Sequence, residues 1–439
     1  MHTLLLIPGI IGSKLKLGNR EIWPPYPIEI ATHYSKKHVK DLLKPAVVSS
    51  GIIQEIACYP VYRPLETTLL DIANKMKPKA RVDRFDYDWR QNWRDIAKAL
   101  SKKLEKLAKT NSEISIVGHS MGAMIARLVL EDPSEDPSWL PKVKRLIAIC
   151  APHLGAPHAV ADALGLYGLA SGIVRKSDTK KIAADPRYPS GYQLFTRPDR
   201  PVVFKDSQPL DLYDCEDATK LRLSCANAKA AKDLFPLFDL MRQPPGCDYR
   251  FISGNGYPET IDSLKTTNYR KFSEVYSEGD STVPVWSTNP SPATIPTYTM
   301  KGDHVGIMGT PQCKALLHTL FGVKASADVF MVRKTPLITL SLGKRVYDKG
   351  ERIDVLVIPG KPTRMVSGSY QILRAGDRKG RKLTRYGSVK KIEYRGLRFE
   401  SMNEQLKAPD EPGLYKLVFE GSHRTNDDTA AHFVVRRGR

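Results

Sequence analysis

Ser120 sits where a serine could act as a nucleophile. It is the centre of Gly118-His119-Ser120-Met121-Gly122, a G-x-S-x-G pentapeptide. The apolar run Ile114-Ser115-Ile116-Val117 before it reads as a buried strand, and residues 121–130 after it read as a helix. In that context the glycines let the chain reverse without a Cβ clash. The serine is held in a strained turn, and the positive end of the following helix favours a developing oxyanion. Such a serine needs a base to take its proton and an acid to orient the base. The chain order for this arrangement is nucleophile, acid, histidine. Asp280, in Gly279-Asp280-Ser281-Thr282-Val283-Pro284, and His304, in Gly302-Asp303-His304-Val305, follow in that order in turn-like sequence. Asp303 competes for the acid's place. His119, His153 and His158 precede the acid, and His318 falls within a predicted helix, so all four fit less well. An oxyanion also needs two backbone N–H donors. Met121 follows the nucleophile, and Ile10 lies in the glycine-bracketed Pro8-Gly9-Ile10-Ile11-Gly12-Ser13, so these two are the expected donors. That loop lacks the Gly-Lys-Ser/Thr ending of a phosphate-binding P-loop.

These residues need a scaffold. Residues 4–7, 82–87, 114–117, 143–150 and 249–253 read as strands. Residues 65–76, the run Ile96, Leu100, Leu104, Leu107, residues 121–130 and residues 313–320 read as helices. The alternation predicts an α/β protein with a parallel sheet covered on both faces. Residues 156–246 interrupt the pattern and read as a cap. Within it, the apolar stretch 164–170 beside Arg175, Lys176, Lys180 and Lys181 suits either a lid that meets lipid or a helical cap packed on the core. Near residue 325 the texture changes to short β-rich runs, including 329–332, 337–340, 353–357, 370–373, 414–419 and 431–435. A length of 439 residues is long for one domain. The expectation is a catalytic domain over 1–324 and an all-β, immunoglobulin-like sandwich over 325–439.

The chain carries a formal net charge of +21, which favours a polyanionic partner. Residues 325–439 hold 24 Lys/Arg against 13 Asp/Glu, so the small domain is about three times denser in net positive charge than the rest. The basic residues Arg374, Arg378, Lys379, Arg381, Lys382, Arg385, Lys390 and Lys391 fit phosphates or a solvated face, with no nucleic-acid motif around them. An anionic membrane is the expected partner, and a protein partner through the β-domain is a further expectation. Cys58, Cys150, Cys215, Cys225, Cys247 and Cys313 form neither a disulfide framework nor a C-x-x-C zinc pattern, and no metal or cofactor is expected. The first residues lack the pattern of a secretory signal. The expected location is the cytoplasm, the periphery of a membrane, or outside the cell by a route without a cleaved signal.

Taken in order, several segments resemble the lecithin:cholesterol acyltransferase family of α/β-hydrolases and its bacterial esterase and lipase relatives. They are Ile7-Pro8-Gly9-Ile10-Ile11-Gly12-Ser13, Trp23, Tyr62-Arg63-Pro64-Leu65 and Phe85-Asp86-Tyr87-Asp88-Trp89-Arg90. Gly118-His119-Ser120-Met121-Gly122, Pro189-Ser190-Gly191-Tyr192-Gln193-Leu194-Phe195, the Asp280 segment and His304 complete the set. The resemblance spans residues 3–320. It implies an α/β-hydrolase fold, a triad of Ser120, Asp280 and His304, and an oxyanion hole from the amides of Ile10 and Met121. It also implies an acyl ester substrate, often a glycerophospholipid. The expected activity is a carboxylic ester hydrolase of phospholipase A type. The alternatives are a lipid acyltransferase using an alcohol acceptor and a basic membrane- or partner-binding effector. Secreted members close a loop after the tryptophan with a disulfide, whereas here Trp23 is followed by Pro24-Pro25-Tyr26-Pro27. The C-terminal β-domain lies outside the resemblance.

Overall fold

Six short strands share one sheet: β1 (His2–Ile7), β2 (Arg81–Arg84), β3 (Glu113–His119), β4 (Val143–Ile149), β5 (Asp248–Asn255) and β6 (Thr297–Lys301). The computed structural model describes residues 1–56, 59–132, 137–170, 172–290, 295–324, 338–342, 346–359, 363–375, 383–399, 402–421 and 430–435. The strand order is β6-β5-β4-β3-β1-β2, and every pairing is parallel. Strand residues alternate between faces, and both faces of the sheet's centre are covered, so the central strands read as nearly continuous apolar runs while the edge strands β2 and β6 do not. Leu4 and Leu6 pack with Leu65, Leu69 and Ile72 of helix α1 (Arg63–Lys75), and with Cys313 and Leu317 of a late helix (Pro311–Leu320). Leu5 and Ile7 face the other way, towards helix α2 (Trp93–Thr110) and helix α3 (Met121–Glu131). The buried face of α2 includes Ile96, Leu100, Leu104 and Leu107, the run read from sequence.

The chain runs from β1 to β2 on one side and then crosses to β3 on the other. The carboxyl ends of β1 and β3 therefore diverge at a switch point, where an open α/β sheet leaves a crevice. Ile7 pairs with Gly118 at that edge, so the loop after β1 and the turn after β3 emerge side by side. Strand β2 ends at Arg84, short of the expected 87. Tyr87 donates its amide to the Ser13 hydroxyl (3.2 Å), and the backbone leaves the sheet there.

The inserted layer contains helices Pro157–Leu164, Lys176–Ala184, Cys215–Lys220 and Cys225–Lys232. Its small sheet joins Val203–Lys205 and Gln208–Pro209 to Thr260–Thr266 and Phe272–Ser277. It thus draws on strands beyond residue 246. Cys215 and Cys225 form a disulfide across its helix pair, with Cα atoms 5.2 Å apart. Cys150, Cys247 and Cys313 are free and buried, and Cys58 lies outside the described residues. Leu166 and Tyr167 pack on the cap's own core, while Leu169 and Ala170 pack on the main core, so most of the apolar stretch 164–170 is packed inward.

The C-terminal strands form two sheets with a shared core. Ile338–Leu342, Arg352–Pro359 and Met402–Lys407 make one. Val346–Tyr347, Ala430–Val435, Gly413–Gly421, Thr363–Ala375 and Leu383–Phe399 make the other. All pairings are antiparallel except that of Val346–Tyr347 with Ala430–Val435. Ile353, Val355 and Val357 of the first sheet pack in one cluster with Tyr370, Tyr415, Leu417 and Phe419 of the second, the layering of a β-sandwich. The expected strand at 329–332, and Arg378, Lys379, Arg381 and Lys382, lie outside the described residues.

Candidate active site

Ser120 occupies the turn between β3 and α3 with φ 52° and ψ −126°, a backbone conformation rarely adopted by a residue with a side chain. The neighbouring structure enforces it. The Ser120 amide donates to the Ile149 carbonyl (2.8 Å), and its carbonyl accepts from Ala123 (3.0 Å) as α3 begins. A Cβ on Gly122 would lie 2.2 Å from the Pro8 carbonyl oxygen and 2.7 Å from that of Ile7. Only glycine lets α3 press this closely on the end of β1.

The downstream loops bring two further side chains to the serine. The Ser120 hydroxyl lies 2.9 Å from His304 Nε2, and His304 Nδ1 lies 2.8 Å from Asp280 Oδ2. Asp280 is fully buried, and its Oδ1 accepts from the amides of Thr282 (3.0 Å) and Val283 (2.7 Å). These bonds fix the carboxylate with its second oxygen on the histidine. The His304 amide donates to the Asp280 carbonyl (2.8 Å), which ties the two loops together. Asp303, the competing acid, instead accepts from the amides of Val305 (3.1 Å) and Gly306 (2.9 Å), capping its own turn.

The Cys150 thiol lies beside this pair, with its sulfur and the Asp280 and His304 ligand atoms within 4.8 Å of one another. Burial, and then the Asp280 charge, push this thiol well above its ordinary pKa. It stays protonated, whereas a metal would require the thiolate.

The loop after β1 is held along its length by three side chains. Tyr87 donates its hydroxyl to the Pro8 carbonyl (2.6 Å), and Trp23 donates its indole N–H to the Ile11 carbonyl (2.9 Å). The Gly9 amide donates to the Tyr62 hydroxyl (2.6 Å). Among the described residues, the amides of Ile10 and Met121 donate to no protein acceptor. Two such N–H groups near Ser120, one of them in the first turn of a helix, are free to receive a developing negative charge. The 3-10 turn Pro189–Leu194 braces the same region. Ser190 accepts from the Trp93 indole (3.2 Å) and donates to the Met121 sulfur (3.2 Å), while Gln193 accepts from the Trp93 amide (2.8 Å). Asp88 and Arg90 pair at 2.6 Å, and the buried Arg90 also reaches the Leu42 and Lys44 carbonyls. The pair therefore ties this loop to the segment that ends helix Lys36–Leu42.

The other histidines serve elsewhere. His153 stacks on Phe251 at 3.9 Å and meets the buried Arg127–Glu131 pair through Arg127 (3.0 Å). His158 lies near Asp162, and His318 bonds Asp71 (2.7 Å). His119, next to Ser120 in the chain, is buried and bonded at both ring nitrogens.

The family described as lecithin:cholesterol acyltransferase matches residues 72–206, a span that holds the serine turn, α2, α3 and β4. Over that span the chain is similar to the lecithin:cholesterol acyltransferase family. The match does not reach Ile10, Asp280 or His304. An uncharacterized protein of Saccharomyces cerevisiae, YJR098C, is 41% identical over 142 residues, covering 29% of this chain and 21% of the yeast protein. Among solved structures, the lin2722 product of Listeria innocua aligns with 74% of this chain and 96% of its own, at 12% identity and a TM-score of 0.32. Phospholipase PlaB of Legionella pneumophila aligns over 100% of this chain and 93% of its own, at 9% identity and a TM-score of 0.34. Among the described residues no helix is long and apolar enough to cross a membrane.

Proposed function

We propose that the protein is a serine hydrolase of phospholipase A type that cleaves acyl esters of glycerophospholipids. The observation that carries this reading is the unbroken hydrogen-bond line from Ser120 through His304 to the buried Asp280, at 2.9 and 2.8 Å, beside two undirected amides. Ser120 Oγ attacks the ester carbonyl carbon while His304 Nε2 takes its proton. Asp280 accepts the Nδ1–H bond throughout and stabilises the imidazolium. The amides of Ile10 and Met121 receive the oxyanion, aided by the positive end of α3. When the tetrahedral intermediate collapses, the leaving alcohol takes the proton from His304 and departs as a lysophospholipid. Water then attacks the acyl-enzyme with His304 again as base, and a fatty acid leaves. The family match favours one second reading, in which an alcohol replaces that water and the product is a new ester.

The β-domain supplies the docking surface in this reading. Its strand Leu383–Phe399 carries Arg385, Lys390, Lys391, Arg395 and Arg398 against Glu393, with Leu397 85% exposed. Basic side chains flanking an exposed apolar one suit an anionic bilayer. The test is to incubate phosphatidylglycerol vesicles with wild type and Ser120→Ala and analyse every lipid product. Wild type should release fatty acid and lysophospholipid, should label with a fluorophosphonate, and Ser120→Ala should do neither. Equal hydrolysis by the two proteins would end the proposal.

A further inference from the structure

We propose that Tyr62 and His119 are positioning residues that lock the oxyanion loop to the loop carrying His304. This deepens the serine-hydrolase reading and rests on it. A continuous run of hydrogen bonds joins the two loops. The Gly9 amide donates to Tyr62 Oη (2.6 Å), Tyr62 Oη lies 2.8 Å from His119 Nδ1, and His119 Nε2 lies 2.7 Å from the His304 carbonyl oxygen. The directions follow from the chemistry at each end. A backbone amide can only donate, so Tyr62 accepts from Gly9. A carbonyl oxygen can only accept, so His119 Nε2 carries a proton and donates it to His304. A neutral imidazole with Nε2–H leaves Nδ1 as an acceptor, and the Tyr62 hydroxyl proton points there. Every donor and acceptor in the run is then used once, in one sense.

The surroundings keep that sense fixed. Tyr62 is 2% exposed and His119 is 3% exposed, so neither readily exchanges its partner for water. Burial, then the neighbouring His304, lowers the His119 pKa to about 3, so the ring is neutral at physiological pH. The rings of Tyr62 and His119 meet edge to face at 5.6 Å, and those of His119 and His304 lie 4.9 Å apart. Gly9 immediately precedes Ile10, and His119 immediately precedes Ser120. Losing the Tyr62 hydroxyl therefore frees the Gly9 amide beside the proposed oxyanion donor. It also frees the ring that holds the His304 backbone. Both act on atoms that must meet in the transition state, and neither forms a site for the ground-state ester. The loss should therefore appear in kcat rather than in KM.

The experiment uses the full chain with p-nitrophenyl butyrate as substrate and a phenyl trifluoromethyl ketone as analogue of the tetrahedral intermediate. Folding is checked by thermal unfolding. Tyr62→Phe should lower kcat by roughly tenfold to a hundredfold with KM within about threefold, and the Kd for the ketone should weaken by the same factor as kcat/KM. His119→Asn keeps an acceptor for the Tyr62 hydroxyl and loses only the donor to His304, so its loss should be smaller, roughly threefold to tenfold. A folded Tyr62→Phe protein with kcat within about twofold of wild type, or with its loss confined to KM, would overturn the proposal. A readout independent of activity is the nitrogen resonance pattern of His119, expected to be the neutral Nε2–H tautomer from about pH 5 to about pH 8. A protonated ring or the Nδ1–H tautomer in that range would also overturn it. An active Ser120→Ala variant would instead overturn the hydrolase reading, and with it the catalytic purpose assigned to these two residues.

Discussion

The α/β domain and the β-sandwich treat polar side chains in opposite ways. Among the described residues, every buried charged side chain lies at or before His318, including Arg90, the Arg127–Glu131 pair and Asp280. The described core of the sandwich is built from Val, Ile, Leu, Phe, Tyr and one Ala, with its charge on exposed strands. Burying an ionisable group is costly unless it is bonded. The α/β domain bears that cost where loops must be held still around Ser120. The sandwich does not, and its charge faces solvent, where it acts at a distance of about a Debye length. One region is built for fixed geometry, and the other is the one proposed to meet a surface.

The sharpest way to break this division is at Asp280. Asp280→Asn keeps the shape of the side chain but removes the charge that holds the His304 proton on Nδ1. It should lower kcat by roughly ten-thousandfold while vesicle binding is retained. Measuring hydrolysis and vesicle co-sedimentation on the same preparation checks both halves. Loss of binding along with activity would show that the two regions are not separable in function. The converse variant reverses two charges on one face of the sandwich, Lys391→Glu with Arg395→Glu, both on exposed positions of the Leu383–Phe399 strand. Affinity for phosphatidylglycerol vesicles should fall by roughly tenfold or more. Hydrolysis of the soluble p-nitrophenyl butyrate should stay unchanged, and raising the salt should weaken wild-type binding. Binding insensitive to both charge and salt would remove the membrane role from this strand.

The two regions were also unequally legible. The serine turn can be read from a few residues because its causes are local: an apolar strand, two glycines and a helix. Most of the parallel sheet can be read because its central strands carry their own apolar runs, but the edge strand β6, Thr297–Lys301, carries none and is not among the expected strands. The partners of those elements are another matter. Tyr62 meets Gly9 and His119 across 53 and 57 residues, and His119 meets His304 across 185, distances over which no sequence period speaks. Chain order sets His119 aside as a base, yet says nothing of its use in holding another loop. Asp303 and Asp280 look alike in sequence, and each accepts from the amides two and three residues on; the bond between His304 and Asp280 is what separates them. The Cys215–Cys225 bond is hidden for a similar reason. Two short helices fold back to bring together cysteines that match no spacing rule. In the sandwich, alternation marks most of the strands, but not that Thr363–Ala375 lies between Leu383–Phe399 and Gly413–Gly421.

A smaller effect separates the regions by acid. The folded α/β domain holds His119 at a pKa of about 3, through burial and then the His304 neighbour. His153 is likewise lowered well below its ordinary value, through burial and then Arg127. In the unfolded chain both titrate near about 6.5. As the pH falls below that value, the unfolded state binds protons that the folded state refuses, so stability falls from about pH 6.5 towards about pH 3; above that window these groups add no slope. All five tryptophans, Trp23, Trp89, Trp93, Trp139 and Trp286, lie before residue 325, so tryptophan emission follows the α/β domain alone, whereas circular dichroism sees both regions. Urea unfolding at a series of pH values, followed by emission, should show stability decreasing with acid across that window. His119→Gln should make the slope shallower by at most one proton, about 1.4 kcal/mol per pH unit, whatever it does to the stability at neutral pH. The slope is the informative quantity, because a lost hydrogen bond lowers the whole curve while a lost titrating group changes its tilt. An unchanged tilt would mean that His119 takes up its proton as readily in the folded protein as in the unfolded chain, against a ring kept neutral by burial and by its bonds to Tyr62 and His304.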